Sequence, residues 1–157
     1  MKKRVYIETT IASYLTARPS RDLVQAARQQ ITHTWWNDAR EDYDLCISEI
    51  VLDEVAFGDV DAARKRLTLL ENLPLLDLTE NVSDVANAIM GSGLLPPAAV
   101  RDAVHIAVTS VHGIDILLTW NCRHIANAAI TKELQTIVAG CGYELPVLCT
   151  PEELLGD

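Results

Sequence analysis

The sequence lacks any uninterrupted apolar run near the roughly 18 residues that a membrane-spanning helix needs. It also lacks the apolar segment and the small-residue cleavage site of a secretory signal, because only three apolar residues follow the basic start at residues 1–4. Hydrophobic residues make up 49% of the chain and charged residues 22%, which is typical of a water-soluble globular protein. We therefore expect a cytoplasmic protein.

Cysteine pairs of the C-x-x-C kind are absent as well, and no cysteine spacing is typical of a structural zinc site. We expect the four cysteines to be reduced and mostly buried; they are Cys46, Cys122, Cys141 and Cys149. Zinc bound by Cys122 and His124 is the weaker interpretation, because the sequence offers no obvious source of two further ligands.

The chain also lacks an excess of positive charge. Lys and Arg number 13 against 22 Asp and Glu, which gives a formal net charge of −9. This balance opposes nucleic-acid binding by bulk attraction, since phosphate contacts rely on clustered Lys and Arg. Bound divalent cations would offset the charge locally. A basic patch near the N-terminus would help, and its predicted members are Lys2, Lys3, Arg4, Arg18, Arg21 and Arg28.

Short apolar runs alternate with longer segments of helical periodicity, a pattern typical of a parallel sheet covered by helices. The predicted fold class is α/β: residues 1–157 form one domain, an α/β/α sandwich with a mostly parallel sheet of four or five strands. The predicted strands are residues 5–8, 44–47, 74–77, 115–118 and 146–148. The predicted helices are residues 10–15, 21–40, 49–57, 60–72, 80–90, 98–111 and 130–140.

The longest predicted helix has an apolar stripe at three- and four-residue spacing, and its expected role is core packing. The stripe consists of Leu23, Val24, Ala27, Ile31 and Trp35. Trp36 lies beside the stripe, so it covers either an edge of the core or an interface with a partner.

Two polar residues follow predicted strands at the same edge of the sheet. Glu8 and Asn121 each come just after the end of a strand, where ligands of open parallel sheets collect. A second interpretation for Glu8 is a carboxylate that caps the helix beginning near Thr9 or Thr10.

Glu54 lies on the apolar side of its predicted helix. At 100° per residue it projects between Ile50 and Val51. An ionised carboxylate on an apolar face needs a cation, a hydrogen-bond network or a raised pKa. The alternative is an edge carboxylate that extends to solvent.

Asp102 lies in the first turns of a helix that follows Pro96 and Pro97, where the helix dipole favours any acid. The helical wheel places it with His105 and Thr109 on a polar flank that we expect to face a groove. The opposite, apolar side consists of Val100, Val104, Ala107 and Val111.

If Glu8, Glu54 and Asp102 meet at separations of about 5 to 6 Å, each pair repels by roughly 3 kcal/mol at an effective dielectric near 20. A hard divalent cation is the natural compensation, and the absence of clustered His or Cys favours Mg²⁺ or Mn²⁺ over zinc. The Thr119 hydroxyl and the Asn121 side-chain oxygen would complete the shell or hold a metal-bound water.

Placed in this order, the acids resemble those of the PIN-domain nucleases, in particular the VapC-type toxins of bacterial toxin–antitoxin pairs. The segments that resemble the family most specifically are VYIETT (5–10), SEIVLDEV (48–55), RDAVHIA (101–107) and LLTWN (117–121). Residues 145–155 resemble the family's last strand and terminal turn.

The resemblance implies an Mg²⁺-dependent endoribonuclease, with Mn²⁺ as a substitute, that is homodimeric and inhibited by a cognate antitoxin. It implies metal ligation by Glu8, Glu54 and Asp102, with Asn121 in the fourth acidic position and Thr119 steadying that loop. The family commonly has Asp at the first and fourth positions, so Glu8 and Asn121 are departures. The expected reaction is in-line attack of water on an RNA phosphate while one carboxylate accepts the proton.

His105 and His124 are expected to be structural or edge residues, and His124 is the better candidate for a phosphate contact. Two rival functions stay open. Asn121 and the acidic composition also fit a PIN domain that binds RNA or protein without cutting. A phosphoacceptor receiver-type domain would want a lysine at the end of the final strand, and residues 147–149 offer none.

Overall fold

The computed structural model describes residues 1–156. Its centre is a five-stranded sheet with the order β3-β2-β1-β4-β5, in which every pair of neighbouring strands is parallel. The α/β fold class is therefore confirmed. The strands are β1 (Lys3–Ile7), β2 (Tyr43–Ser48), β3 (Leu75–Leu76), β4 (Ile116–Leu118) and β5 (Val147–Cys149).

Helices connect the strands, and the predicted helices are present within a few residues of their expected bounds. They are α1 (Thr9–Thr16), α2 (Leu23–Asp38), α3 (Glu49–Val55), α4 (Val60–Leu70), α5 (Glu80–Gly91), α6 (Val100–Val111), α7 (Thr131–Gly140) and α8 (Pro151–Leu155). Two short 3₁₀ turns, Arg40–Asp42 and Pro97–Ala99, precede β2 and α6. In residues 1–156, no helix combines the length and apolarity that crossing a membrane would require.

Residues 5–7 of β1 and all of β4 are short apolar runs that are buried on both faces, as expected for a parallel sheet covered by helices. Ile7 pairs with Leu118, so Glu8 and Thr119 leave the sheet side by side. The backbone N–H of Glu8 donates to the carbonyl of Leu118 at 3.1 Å. The carboxyl ends of these two strands therefore form one edge, beside the end of β2 at Ser48.

The expected core stripe of α2 is wrong for the first half of that helix. Leu23 is 86% exposed and Val24 62% exposed, whereas Trp35 is fully buried. The exposed residues line an open groove of about 580 Å³ with Trp120 and the start of α8. Spacing alone identified an apolar face, but only the second half of the helix lies over the core.

Trp36 packs within its own chain. It is 8% exposed, and the Arg40 guanidinium lies 4.7 Å from the centre of its ring. Of the two interpretations that the sequence left open, the structure supports edge packing.

The predicted polar flank of α6 is also wrong. His105 and Thr109 are fully buried, and Val100 is 51% exposed. The Thr109 hydroxyl is satisfied locally, because it donates to the carbonyls of His105 and Ile106. The polar side chains can therefore face inward, where α6 packs against α5 and the sheet.

Candidate metal centre

Glu8 stands at the centre of the sheet edge and is 3% exposed. Its Oε1 accepts hydrogen bonds from the Thr10 backbone N–H at 3.1 Å, the Thr10 hydroxyl at 2.5 Å and the Thr119 hydroxyl at 2.6 Å. It also caps α1, so the capping interpretation holds alongside the functional one. Three donors on one oxygen stabilise a buried, ionised carboxylate.

The directions of the two threonine hydroxyls follow from their other contacts. Thr119 Oγ1 accepts from the Asn121 backbone N–H at 2.8 Å, and Thr10 Oγ1 accepts from the Trp120 backbone N–H at 2.8 Å. Each hydroxyl therefore directs its proton to Glu8. The sequence singled out Thr119 but missed the role of Thr10, whose only signal was its place in the VYIETT segment.

Glu54, on α3, faces the same edge with a side chain that is 20% exposed. Its Oε1 accepts from the Thr9 hydroxyl at 2.8 Å and contacts His105 Nε2 at 2.5 Å. Burial by itself would raise the pKa of Glu54, but the interactions with His105, Thr9 and Arg101 outweigh burial and hold the pKa below its usual value. The carboxylate is held inside the site and does not extend to solvent.

A buried hydrogen-bond chain lies behind Glu54. His105 Nδ1 contacts the Tyr6 hydroxyl at 2.7 Å, and that hydroxyl contacts Ser48 Oγ at 2.8 Å. Burial raises the pKa of Tyr6 well above its ordinary value, so the phenol is neutral. Sequence reasoning missed the roles of Tyr6 and Ser48. Ser48 precedes α3 but makes no side-chain cap bond to that helix.

Three side chains come close enough to share one ion. Glu8, Glu54 and His105 each offer a ligand atom, and these atoms all lie within 4.8 Å of one another. In the part of the chain that the structure describes, Asp102 does not join this group. The fold therefore brings together two of the three predicted acids.

The other predicted residues form a neighbouring group. Asp102 Oδ2 contacts His124 Nδ1 at 3.0 Å, and Asn121 Oδ1 accepts from the His124 backbone N–H at 3.0 Å. Their side chains are partly exposed. Ligation of the same ion by Asp102 and Asn121 stays a prediction.

The donor set fits a hard divalent cation. The hydrogen bonds to Glu8 and Glu54 all end on Oε1, and that of Asp102 ends on Oδ2. Among the described residues, no donor contacts the second oxygen of any of the three carboxylates. Each acid is thus fixed by one oxygen and has the other free, and oxygen ligands of this kind suit Mg²⁺ or Mn²⁺.

Neither the zinc interpretation nor the basic patch gains support. Within residues 1–156, Cys122 belongs to no cluster of metal-ligating side chains, and only Cys46 and Cys149 of the four free cysteines are buried.

The members of the predicted basic patch lie apart. The Arg4 guanidinium donates to the His112 carbonyl near the amino ends of the strands. Arg28 lies over Trp120 at the opposite edge, so the predicted patch is not one surface.

The family model described as PIN domain matches residues 5–129. This chain belongs to the PIN domain family. The matched region contains every element that supplies a candidate site residue, and the resemblance seen in the sequence is confirmed. No curated protein sequence matches this PIN domain.

The fold is shared with a solved structure. A chain of the VapBC2 structure from Rickettsia felis, determined bound to a DNA fragment from the promoter, superposes with a TM-score of 0.60 at 13% sequence identity. The superposition covers 94% of this PIN domain and 98% of that chain. At this identity the likeness shows the fold.

Proposed function

We propose that this PIN domain is an Mg²⁺- or Mn²⁺-dependent endoribonuclease and the toxin of a toxin–antitoxin pair. The observation that supports the proposal best is the pair of carboxylates at the sheet edge, of which Glu8 is buried and Glu54 partly buried. Glu8 and Glu54 lie with His105 in a group whose ligand atoms are within 4.8 Å of one another. Such a concentration of negative charge calls for a cation.

In this proposal Glu8, Glu54 and Asp102 hold the cation through their free oxygens, and Asn121 occupies the fourth position. A divalent cation bound there would neutralise charge on the phosphate and lower the pKa of the attacking water. Thr119 keeps Glu8 in place through its hydroxyl, which lies 2.6 Å from Glu8 Oε1. One carboxylate accepts the proton of the water as the P–O3′ bond breaks, and the leaving 3′-oxygen takes a proton from solvent. The products carry a 5′-phosphate and a 3′-hydroxyl.

His124 is suited to contact the RNA phosphate. Its Nδ1 faces Asp102, and its side chain is 24% exposed. No described residue contacts Nε2, so this nitrogen is available to the substrate. The contact would position the scissile phosphate beside the carboxylates.

The proposed partners are a cognate antitoxin and a second copy of the chain. The family membership and the shared fold with a chain of the VapBC2 structure support this part of the proposal. An RNA substrate implies action in the cytoplasm. Co-expression with the product of a neighbouring small reading frame should relieve any growth arrest that the PIN domain causes.

A second candidate function is a PIN domain of weak or no activity that binds RNA or protein. One observation favours it: Asn121 is neutral, and its Oδ1 already accepts a hydrogen bond from the His124 backbone. An amide in this state is a poor ligand for a second cation.

Cleavage of end-labelled RNA in Mn²⁺, Mg²⁺ or EDTA separates the two. We expect metal-dependent cleavage by the native protein and none by the Glu54→Gln variant. Glu49→Gln is the matched control, because Glu49 is exposed at the start of the same helix. Metal-dependent RNA binding without cleavage by the native protein would favour the second candidate.

A further inference from the structure

His105 is fully buried and yet has a polar partner on both ring nitrogens. Nε2 lies 2.5 Å from Glu54 Oε1, and Nδ1 lies 2.7 Å from the Tyr6 hydroxyl. The Tyr6 ring packs edge-on against the imidazole, with centroids 5.7 Å apart. The ring is therefore fixed in both position and rotation.

The proton positions follow from the partners. An ionised carboxylate only accepts hydrogen bonds, so the Nε2 of His105 must donate its N–H to Glu54. The Tyr6 hydroxyl can donate to Nδ1 while it accepts from Ser48, and the 2.8 Å contact with Ser48 Oγ allows this. Because Nε2 carries a proton, it has no electron pair to offer a cation. His105 therefore cannot ligate a cation through this nitrogen, although the nitrogen lies close enough to the site to do so.

We propose that His105 is a positioning residue: it holds Glu54 through Nε2–H, Tyr6 locks its ring, and it does not ligate the metal. This inference rests on the metal site of the proposed function. Thr9 and His105 both contact Oε1 of Glu54, so together they restrict the rotation of its side chain, and no described residue donates to Oε2. Groups that orient a ligand in this way contribute to metal affinity without touching the metal.

Two amide substitutions at one position test the hydrogen bond. In His105→Gln the side-chain N–H can reach the place of Nε2, whereas in His105→Asn the shorter amide reaches only the place of Nδ1. We expect Mn²⁺ affinity, measured by electron paramagnetic resonance of free Mn²⁺, to stay near the native value for Gln and to fall about 10-fold for Asn. His112→Asn is the control, because His112 instead contacts the Asp77 carbonyl.

Tyr6→Phe provides a second variant if burial of an amide prevents folding. It removes the hydroxyl that locks the ring and leaves Glu54, Thr9 and His105 in place, so we expect a smaller loss of Mn²⁺ affinity. Thermal unfolding without metal shows whether each variant is folded. Equal Mn²⁺ affinity in native protein, His105→Asn and Tyr6→Phe would overturn the inference.

The native protein can be examined directly with ¹⁵N-labelled histidine. During a Mg²⁺ titration, positioning requires that Nε2 of His105 stays protonated, whereas ligation would remove that proton. Nitrogen modulation from a directly bound imidazole in the spin-echo spectrum of bound Mn²⁺ would also contradict the inference. If the native protein binds no Mn²⁺, the proposed function fails together with this inference; binding that is indifferent to His105 overturns this inference alone.

Discussion

The two halves of the candidate site differ in how firmly the fold holds them. Glu8 and Glu54 form the inner half, and several hydrogen bonds hold them in place. The donors are the threonine hydroxyls of Thr9, Thr10 and Thr119 and the imidazole of His105. The outer half has one side-chain contact between Asp102 and His124, and it depends on the loop after β4. Both halves lie at the same sheet edge.

This difference indicates a division of labour. The inner carboxylates are set in position before any cation arrives, so their ordering adds little to the cost of binding. The outer group can adjust when substrate arrives. Substitutions in the inner half should alter metal binding and stability, and substitutions in the outer half should alter substrate binding.

The largest expected effect is that of Glu8→Gln. Loss of this charge should reduce metal-dependent cleavage by about 100-fold or more, equivalent to about 3 kcal/mol of transition-state stabilisation. Mn²⁺ should raise the melting temperature of the native protein and leave that of the variant almost unchanged, since only a bound ligand stabilises the fold. A variant that keeps the full Mn²⁺-induced shift would contradict the division between the two halves.

Thr119→Val should have the next largest effect, on stability. The change removes a donor to Glu8 and the acceptor of the Asn121 N–H, at a cost of about 1–3 kcal/mol for buried groups that lose their partners. Urea unfolding measures it. Thr136→Val, at an exposed position of α7, is the control and should change the unfolding free energy much less.

His124→Asn tests the outer half, because the shorter amide can reach the place of Nδ1 beside Asp102 but not the place of Nε2. We expect KM for RNA to rise about 10-fold, in line with loss of a phosphate contact of about 1.4 kcal/mol. The unfolding free energy should change by only about 0.5 kcal/mol or less, because the side chain is partly exposed. A large fall in stability with unchanged KM would show that His124 stabilises the fold and does not contact the RNA.

The smallest expected effect is a pH dependence of the unfolding free energy, which arises from Glu54 in the inner half. Because the pKa of Glu54 is lowered in the folded protein, its ionisation stabilises the fold above the ordinary value of 4.5, and this stabilisation is lost as the pH falls through the lowered value. The unfolding free energy of native protein relative to Glu54→Gln, measured in EDTA, should therefore decrease from pH 7 to pH 3.5. A difference that is constant across this range would show that Glu54 has an unshifted pKa.

Several parts of the site could be predicted because their signals are local. Glu54 stood out because its place on the helical wheel, between Ile50 and Val51, made an ionised carboxylate costly. Glu8 and Asn121 stood out because each follows an apolar strand. The hydroxyls of Tyr6 and Ser48 gave no such signal, since their partners are far away in the chain: Tyr6 is 42 residues from Ser48 and 99 from His105.

The sequence by itself determined the alternation of strands and helices, the parallel sheet and the edge at which Glu8 and Thr119 emerge, because strand and helix periodicities act over a few residues. Only the tertiary structure decided which side of α6 turns inward, which half of α2 stays exposed, and that His105 supports Glu54 while Asp102 turns to His124. These choices depend on packing between elements distant in the chain. A buried polar side chain is tolerated wherever that packing supplies its hydrogen-bond partners.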